Sequence, residues 1–508
     1  MLSSDHTQYA LALWLTPVVL YVLYAWLKVI TGAFFGPLSK IPGPKLWAIS
    51  RLPRMYMEWQ GEEAAGVAAL HKKYGPVVRL APNEVSFAGG AQAWKDIYGY
   101  RKNVGQEKHP YRSPASYWPP ANGAPSMIQA IRDEDHQRLR KSLAVSFSEK
   151  SMKQMEPRVK GWARLLQTKL AERGDAAVDM VELFRCAGKA KLLEIVCRAK
   201  VFSFDRDDLQ MLRNGRLSDY VHAAFSGIRT VIRLRVLSTY NSFTRWLVRD
   251  CFFQSAFVRK AAMENLRYSA DRVDRRLQEP VRDPPDLWTK PLTGIDGKMS
   301  LDEYHSTAQL LMTAGTDTTA IGLSGTLYYL LTKPDCLAKV TDEVRSAFSS
   351  MDDVTYETLA QQKYLDAALQ EGLRLYPPVP TGAPRVTPMP GWSIGGYWIP
   401  GGVNVHAPHY ATSRLPAHFT APESFHPERW LGDEKFQNDR LDAVQPFSYG
   451  PQNCLGQAFA MNEMRLFMAA VLLQFDLQLC EDPRAWLDQR VFSMWETKPL
   501  MCVATKRS

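Results

Sequence analysis

The apolar positions of this chain recur mostly at three- and four-residue spacing. That period predicts helices over residues 136–170, 176–199, 205–224, 240–278, 300–332, 336–349, 357–375 and 457–474. β-like runs appear only around residues 77–87 and 392–405. Many helices with little strand predict a mainly α fold with a small β portion. No Ser/Gly linker, repeat or low-complexity tract interrupts residues 47–508, which are expected to form a single domain.

Two segments depart from the amphipathic pattern. Residues 9–27, "YALALWLTPVVLYVLYAWL", form an uncharged, mostly apolar run. As a helix it would reach about 29 Å, close to the thickness of a bilayer core. No Lys or Arg precedes it, whereas Lys28, Lys40, Lys45, Arg51 and Arg54 follow it. The charge asymmetry predicts an outside N-terminus and a cytosolic body. The expected organisation is a lumenal N-terminus over residues 1–8, a transmembrane anchor over 9–30 and a Pro/Gly hinge over 31–46. A cleaved signal peptide would need a basic leader and a small-residue cleavage site, and neither is present.

The second segment is the helix expected over residues 300–332, about 48 Å long at helical rise. Ser300 and Glu303 form a capping-box pattern at its start. Its middle reads "TAGTDTTA", with Gly315 and a cluster of threonines that are poor helix formers. Their hydroxyls can bond back to the preceding turn and bend the helix. A long helix weakened at its centre is expected to bind something there.

Composition narrows the chemistry. With 46% hydrophobic and 22% charged residues in 508, the chain can bury a large core. Its 7 cysteines are scattered, which suits a reducing compartment rather than a disulfide framework. The net charge of +10 accompanies no basic arm with interleaved aromatics, so nucleic acid is not indicated. One cysteine stands apart in "FSYGPQNCLG", residues 447–456. Gly450 and Gly456 let the backbone curl toward the Cys454 sulfur, and the helix expected from Gln457 would present its positive end. Such a site would hold a thiolate as a metal ligand, and a single protein thiolate without companion ligands suits haem.

This decapeptide resembles the haem-binding loop of the cytochrome P450 superfamily, Phe-x-x-Gly-x-Arg-x-Cys-x-Gly. Phe447, Gly450, Cys454 and Gly456 match it, while Gln452 stands where the family usually has Arg. Further motifs follow in the family's order. "EGLR" carries Glu371 and Arg374, and "PERW" carries Arg429; the resemblance implies a Glu-Arg-Arg structural cluster. "AGTDTT" resembles the oxygen-activating segment, with Asp317 as the acid feeding protons and Thr318 as the catalytic hydroxyl. "DHQRLRK" resembles the helix that presents His136 and Arg140 to a haem propionate, with Arg385 as another donor. The implied fold is the cytochrome P450 fold preceded by one N-terminal transmembrane helix. The implied cofactor is haem b with Cys454 as axial ligand. Replacing arginine by Gln452 gives up a charge-assisted bond. Haem is still expected to bind, less tightly and with a shifted potential, and Gln452→Arg is expected to tighten it.

The anchor, "WKDIYGYRK" and "PESFHPERW" look most like fungal microsomal members of secondary metabolism. That likeness implies a hydrophobic terpenoid, polyketide or alkaloid substrate and an endoplasmic reticulum location. It also implies electrons from NADPH-cytochrome P450 reductase, with cytochrome b5 as an additional partner, since the chain carries no Rossmann fingerprint of its own. Arg132, Arg138 and Lys141 are expected to steer the reductase. By the same analogy residues 111–127 would roof the substrate pocket, and Leu310, Leu311, Ala314, Val379, Thr381, Ala383 and Phe492 would line it. Arg229, Arg233 and Arg235 lie among apolar residues and read either as a solvated face or as a second membrane contact. Desaturation, cyclisation and oxidative coupling share the same oxidant. A redox-neutral isomerase or dehydratase and a non-catalytic haem carrier are the readings from other classes; the Asp317–Thr318 pair opposes both.

Overall fold

The computed structural model describes residues 3–99, 110–113, 120–192, 219–278, 287–288, 299–480 and 485–507. Most of the sequence-predicted helices are present, cut at positions that periodicity does not register. The run expected over 136–170 divides into Asp133–Ala144 and Glu149–Arg173. The break is a short turn followed by Ser148, whose side chain accepts from the Ser151 amide and caps the second helix. The run expected over 176–199 begins as a short strand, and its helix is described over Met180–Leu192. Of the helix expected over 205–224, residues 205–218 lie outside the described residues; from Asp219 the helix continues to Ser238. The run over 240–278 contains Ser242–Arg245, a π-helical turn at Trp246–Phe252 and the helix Ala256–Leu277.

The central element is the helix Leu301–Leu331, with both arms of the Ser300–Glu303 capping box in place. It packs against Met180–Leu192, Ala256–Leu277, Lys363–Leu375 and Gln457–Gln474. These helices share the largest apolar cluster, in which Leu327, Leu330, Leu369, Phe467 and Val471 are fully enclosed. Close crossings depend on small residues: a Cβ at Gly372 would strike the Thr326 side chain.

The β portion is larger than the two runs expected. Strands β1 (Val77–Ala81), β2 (Glu84–Phe87), β4 (Arg385–Val386) and β7 (Asn404–His406) form a sheet in the order β1-β2-β7-β4, with β2 and β7 parallel. Two hairpins are β5 (Gly391–Ile394) with β6 (Tyr397–Pro400), and β9 (Arg490–Phe492) with β10 (Met494–Glu496). A third sheet joins β3 (Val178–Asp179), β11 (Met501–Lys506) and β8 (Phe475–Leu479), elements far apart in sequence.

The N-terminus needs correction. One helix runs from Ser3 to Phe34, so it extends beyond the expected anchor at both ends and passes through Gly32. Among the described residues no helix is long and apolar enough to cross a membrane, so the expected transmembrane helix is not shown. The side chains of residues 3–13 in this helix lie outside the description. Nor is the segment expected as a hinge loose against the body. Ala33, Leu38 and Ile41 are buried. Arg79 in β1 donates through Nη1 to the Ala33 carbonyl (3.0 Å) and through Nη2 to the Pro82 carbonyl (2.8 Å). A Cβ at Gly43 would press on the Arg79 carbonyl, so glycine is what admits this contact.

Arg233 is half-buried against the body, and Arg229, though exposed, is paired to it. Arg229 donates to both Glu496 oxygens (2.6 Å each), and Arg233 donates to the Trp59 carbonyl (3.2 Å) and stacks over the Trp59 ring. Ile232 and Val236 bury themselves with Met55 and Phe492. The helix therefore clamps the β9–β10 hairpin to the helix Leu52–Gln60.

Candidate functional site

The cysteine loop is built by backbone conformation. The Cys454 amide donates to the Phe447 carbonyl (2.8 Å) and the Asn453 amide to the Gly450 carbonyl (3.0 Å). Gly450 has φ +75°, and a Cβ there would collide with the Tyr98 carbonyl. A Cβ at Gly456 would lie 3.7 Å from Phe147 and 4.0 Å from the Cys454 sulfur, ordinary contact distances, so Gly456 stands directly beside the sulfur. Gly456 is followed directly by the helix Gln457–Gln474.

Cys454 is accessible, yet it lies deep enough that burial pushes its thiol up. The Gly456 amide and the Arg140 guanidinium pull the other way without prevailing. The sulfur faces open space but stands among protein atoms that solvate charge poorly. A thiolate here therefore calls for a cation on the sulfur itself, as a haem iron supplies.

Charged groups gather beside the loop. Arg140 grips it, donating from Nη1 to the Asn453 carbonyl (2.7 Å) and from Nη2 to Asn453 Oδ1 (2.6 Å). Arg385, buried on β4, lies over the Tyr98 ring with 4.9 Å to its centroid and donates to the Pro384 carbonyl (2.9 Å). Its Nη2 also donates to Gln452 Oε1 (2.7 Å), and Gln452 Nε2 donates to Asp133 Oδ1 (3.1 Å). His136 is buried at the centre of this group. Burial, then Arg112 and Arg140, hold its pKa down at about 4, so the ring is neutral at physiological pH. Sequence reading missed Arg112, which donates to the Met127, Ile128 and Ala130 carbonyls (3.1, 3.3 and 3.1 Å). Three guanidiniums around a neutral imidazole suit a group that brings carboxylates, so these residues fit haem.

Reading the sequence alone counts Gln452 as a loss of charge. The structure adds that glutamine offers an acceptor, which arginine lacks.

On the long helix, Asp317 is buried and accepts from Arg185 Nε (3.1 Å). Burial raises its pKa to about 6 despite Arg185. The threonine hydroxyls bond back one turn: Thr316 to the Met312 carbonyl and Thr318 to the Ala314 carbonyl, both at 2.7 Å. The helix remains continuous through them. It meets the cysteine-loop side of the molecule where it packs on Gln457–Gln474. Arg185 is a second residue that sequence reading missed; the available signal was a lone arginine set among the apolar Leu183, Phe184, Cys186 and Ala187 of a predicted helix.

The Glu-Arg-Arg motif forms a buried network. Arg374 donates from Nε to Glu371 Oε2 (2.8 Å) and from Nη2 to Oε1 (2.7 Å), and from Nη1 to the Ser413 and Pro422 carbonyls (2.7 Å each). Arg429 Nε donates to Glu371 Oε1 (3.3 Å), Trp430 Nε1 to Oε2 (3.0 Å) and the His426 amide to Oε1 (3.0 Å). Arg429 also pairs with buried Asp439, which the sequence reading missed. Burial alone would raise the Glu371 carboxyl, but Arg374, Arg429 and the His426 amide leave it below its ordinary range.

The remaining predicted residues divide. Leu310, Leu311, Val379, Thr381 and Ala383 are half-buried and Ala314 is exposed. Phe492 is buried in the satellite cluster with Met55, so its ring is committed to packing and offers a ligand no surface in this conformation. Of the roof segment 111–127, residues 114–119 lie outside the described residues. Asn122 ties the rest to the long helix, accepting from Ser306 (2.9 Å) and donating to the Asp302 carbonyl (2.9 Å). Arg138, half-buried, is bonded to Glu303 (3.0 Å through Nη1) and so links two helices, whereas Arg132 and Lys141 are exposed.

A family model described as Cytochrome P450 matches residues 41–503. The cytochrome P450 monooxygenase efuB of Hormonema carpetanum is 41% identical over 95% of this chain and 94% of its own length. The cytochrome P450 monooxygenase lcsI of Purpureocillium lilacinum is 37% identical over 95% and 92% respectively. FUM2 of Gibberella moniliformis, also a cytochrome P450 monooxygenase, is 34% identical over 93% and 98%.

Proposed function

This chain belongs to the cytochrome P450 family and is a haem-thiolate monooxygenase, and we propose that it oxidises a hydrophobic intermediate of fungal secondary metabolism. A terpenoid, polyketide or alkaloid is the substrate class. The observation that carries the reading is Cys454, held open in a glycine-shaped loop and braced by Arg140. Haem bound there supplies activation of O2 and transfer of one oxygen atom to the substrate. Cys454 would ligate it, and His136, Arg140 and Arg385 would hold its carboxylates. Asp317, with a pKa near 6, can take and give a proton at neutral pH while Arg185 orients its Oδ1. The Thr318 hydroxyl hydrogen is directed at the Ala314 carbonyl, which leaves the oxygen as an acceptor. The apolar side chains of Leu310, Leu311 and Val379 favour a substrate with little charge.

The test of the reaction is mass spectrometry of extracts made with and without the gene. The compound that accumulates should lack one oxygen relative to the compound lost; one carrying two extra hydrogens would instead mean desaturation or ring closure. Thr318→Ala should keep NADPH consumption within severalfold while most electrons emerge as hydrogen peroxide instead of product. Full coupling in that variant would remove Thr318 from oxygen activation.

The enzyme is further proposed to sit on the endoplasmic reticulum membrane by a single pass, body in the cytosol. NADPH-cytochrome P450 reductase and cytochrome b5 would donate electrons across the face bearing Arg132 and Lys141. Support comes from Trp14, Val19, Leu20 and Leu23, all more than half exposed on the N-terminal helix. Phe243 and Trp246 add a second exposed apolar patch. Deleting residues 1–28, which keeps Ala33 and its bond to Arg79, should move the protein from the carbonate-washed membrane pellet to the supernatant. A full-length chain that washes off would end the anchor reading.

A further inference from the structure

Position 452 is where this chain departs from its family's loop, and its surroundings show what glutamine does there. Gln452 is used from both ends. Its oxygen accepts from a guanidinium and its nitrogen donates to a carboxylate, so only one orientation of the amide suits both neighbours. Arginine, with donors only, could not accept from Arg385. Arg385 is fixed on three sides, by Gln452, by the Pro384 carbonyl and by the Tyr98 ring. Its fork has five N–H donors, and these two bonds use two of them. Asp133 stands in the first turn of the helix that carries His136 and Arg140. Its carboxylate offsets part of the positive charge that Arg112, Arg140 and Arg385 place around His136.

Building on the haem-thiolate reading, we infer that Gln452 is a positioning residue that holds Arg385 for a haem carboxylate, and that Asp133, tied in through the same amide, lowers the haem midpoint potential. A negative charge near the haem favours the ferric state, and a missing cation at 452 acts in the same direction. Retention and potential are thus set by different members of one chain of bonds. Arg385, held by Gln452, governs how tightly haem stays. Asp133 governs how easily it is reduced.

The experiment uses the haem-loaded full chain and reads haem transfer to apomyoglobin together with the midpoint potential. Gln452→Leu should release haem roughly tenfold faster, the effect of losing about one charge-assisted hydrogen bond. In an Arg385→Gln background the same change should add little, because Gln452 acts through Arg385. Asp133→Asn, which is close in shape, should raise the midpoint potential and leave the transfer rate within about twofold of wild type. Additive losses from Gln452→Leu and Arg385→Gln would overturn the positioning role. An unmoved potential in Asp133→Asn would overturn the electrostatic one, and this variant decides it even if Gln452→Leu fails to fold. Failure of the parent reading looks different: wild-type protein would then show no carbon monoxide band of a thiolate-ligated haem.

Discussion

Glu371→Gln should yield little haem-loaded protein and lower stability by roughly 3–5 kcal/mol, the usual penalty for breaking a buried ion pair from one side. Glu371 is fully enclosed and accepts from Arg374, Arg429, Trp430 and the His426 amide. A glutamine would turn an NH2 toward groups that are themselves donors, and it would strand Arg374 and Arg429 without their shared counter-charge. Because the folded-state pKa of Glu371 lies below its ordinary range, its contribution is present at neutral pH. It is lost as pH falls below the unfolded carboxylate value and through the folded one. The variant should therefore show a shallower acid limb, since Glu84, Glu303 and Glu428 still contribute theirs. Thermal unfolding between neutral and acid pH, with the yield of carbon monoxide-binding protein, checks both statements. A variant that melts within a few degrees of wild type and keeps its haem would show the network to be dispensable.

Asp317→Asn carries the largest expected effect on turnover, a loss of roughly 100-fold or more if general acid catalysis has its usual worth. Its effect on stability should have the opposite sign. Burial raises the Asp317 pKa to about 6, so the folded chain holds a proton that the unfolded chain releases as pH climbs from about 4 to about 6. Stability therefore falls as pH rises through that window and stays lower above it, by an amount that Arg185 already reduces. Asparagine never ionises, so the variant should be slower yet no less stable at neutral pH. Its rate should lose the pH dependence centred near 6. Steady-state turnover against pH, alongside thermal unfolding, separates this from simple damage to the helix. An unchanged pH profile would assign proton delivery elsewhere.

Local signals in the sequence carried far. Ser300 and Glu303 sit three residues apart and form their box; Gly450 precedes a conformation that excludes side chains; the helix after Cys454 spans Gln457–Gln474, as its periodicity requires. What could not be read is what only tertiary structure joins. Asp133 meets Gln452 and Arg185 meets Asp317 across long stretches of chain. No spacing rule reaches across such separations. Strands β8 and β11 were missed for a related reason, since each gains its reason to be extended from its partner. Arg138 has a counter-ion, Glu303, on another element, which its place on a helix surface does not reveal.

The bond between Arg79 and the Ala33 carbonyl bears on how this protein can be shortened for work in solution. Arg79 is 5% exposed and satisfies itself with carbonyl oxygens, one of them at the far end of the N-terminal helix. Cutting the chain just after residue 34 would remove the N-terminal helix and also leave a buried cation inside the first sheet without one of its acceptors. A gentler boundary lies a turn or two earlier, where the exposed Trp14, Leu20, Leu23 and Trp26 are gone but Ala33 is kept in the last turn of the helix. The segment that looks like a leash is, at its last residues, part of the enzyme's masonry.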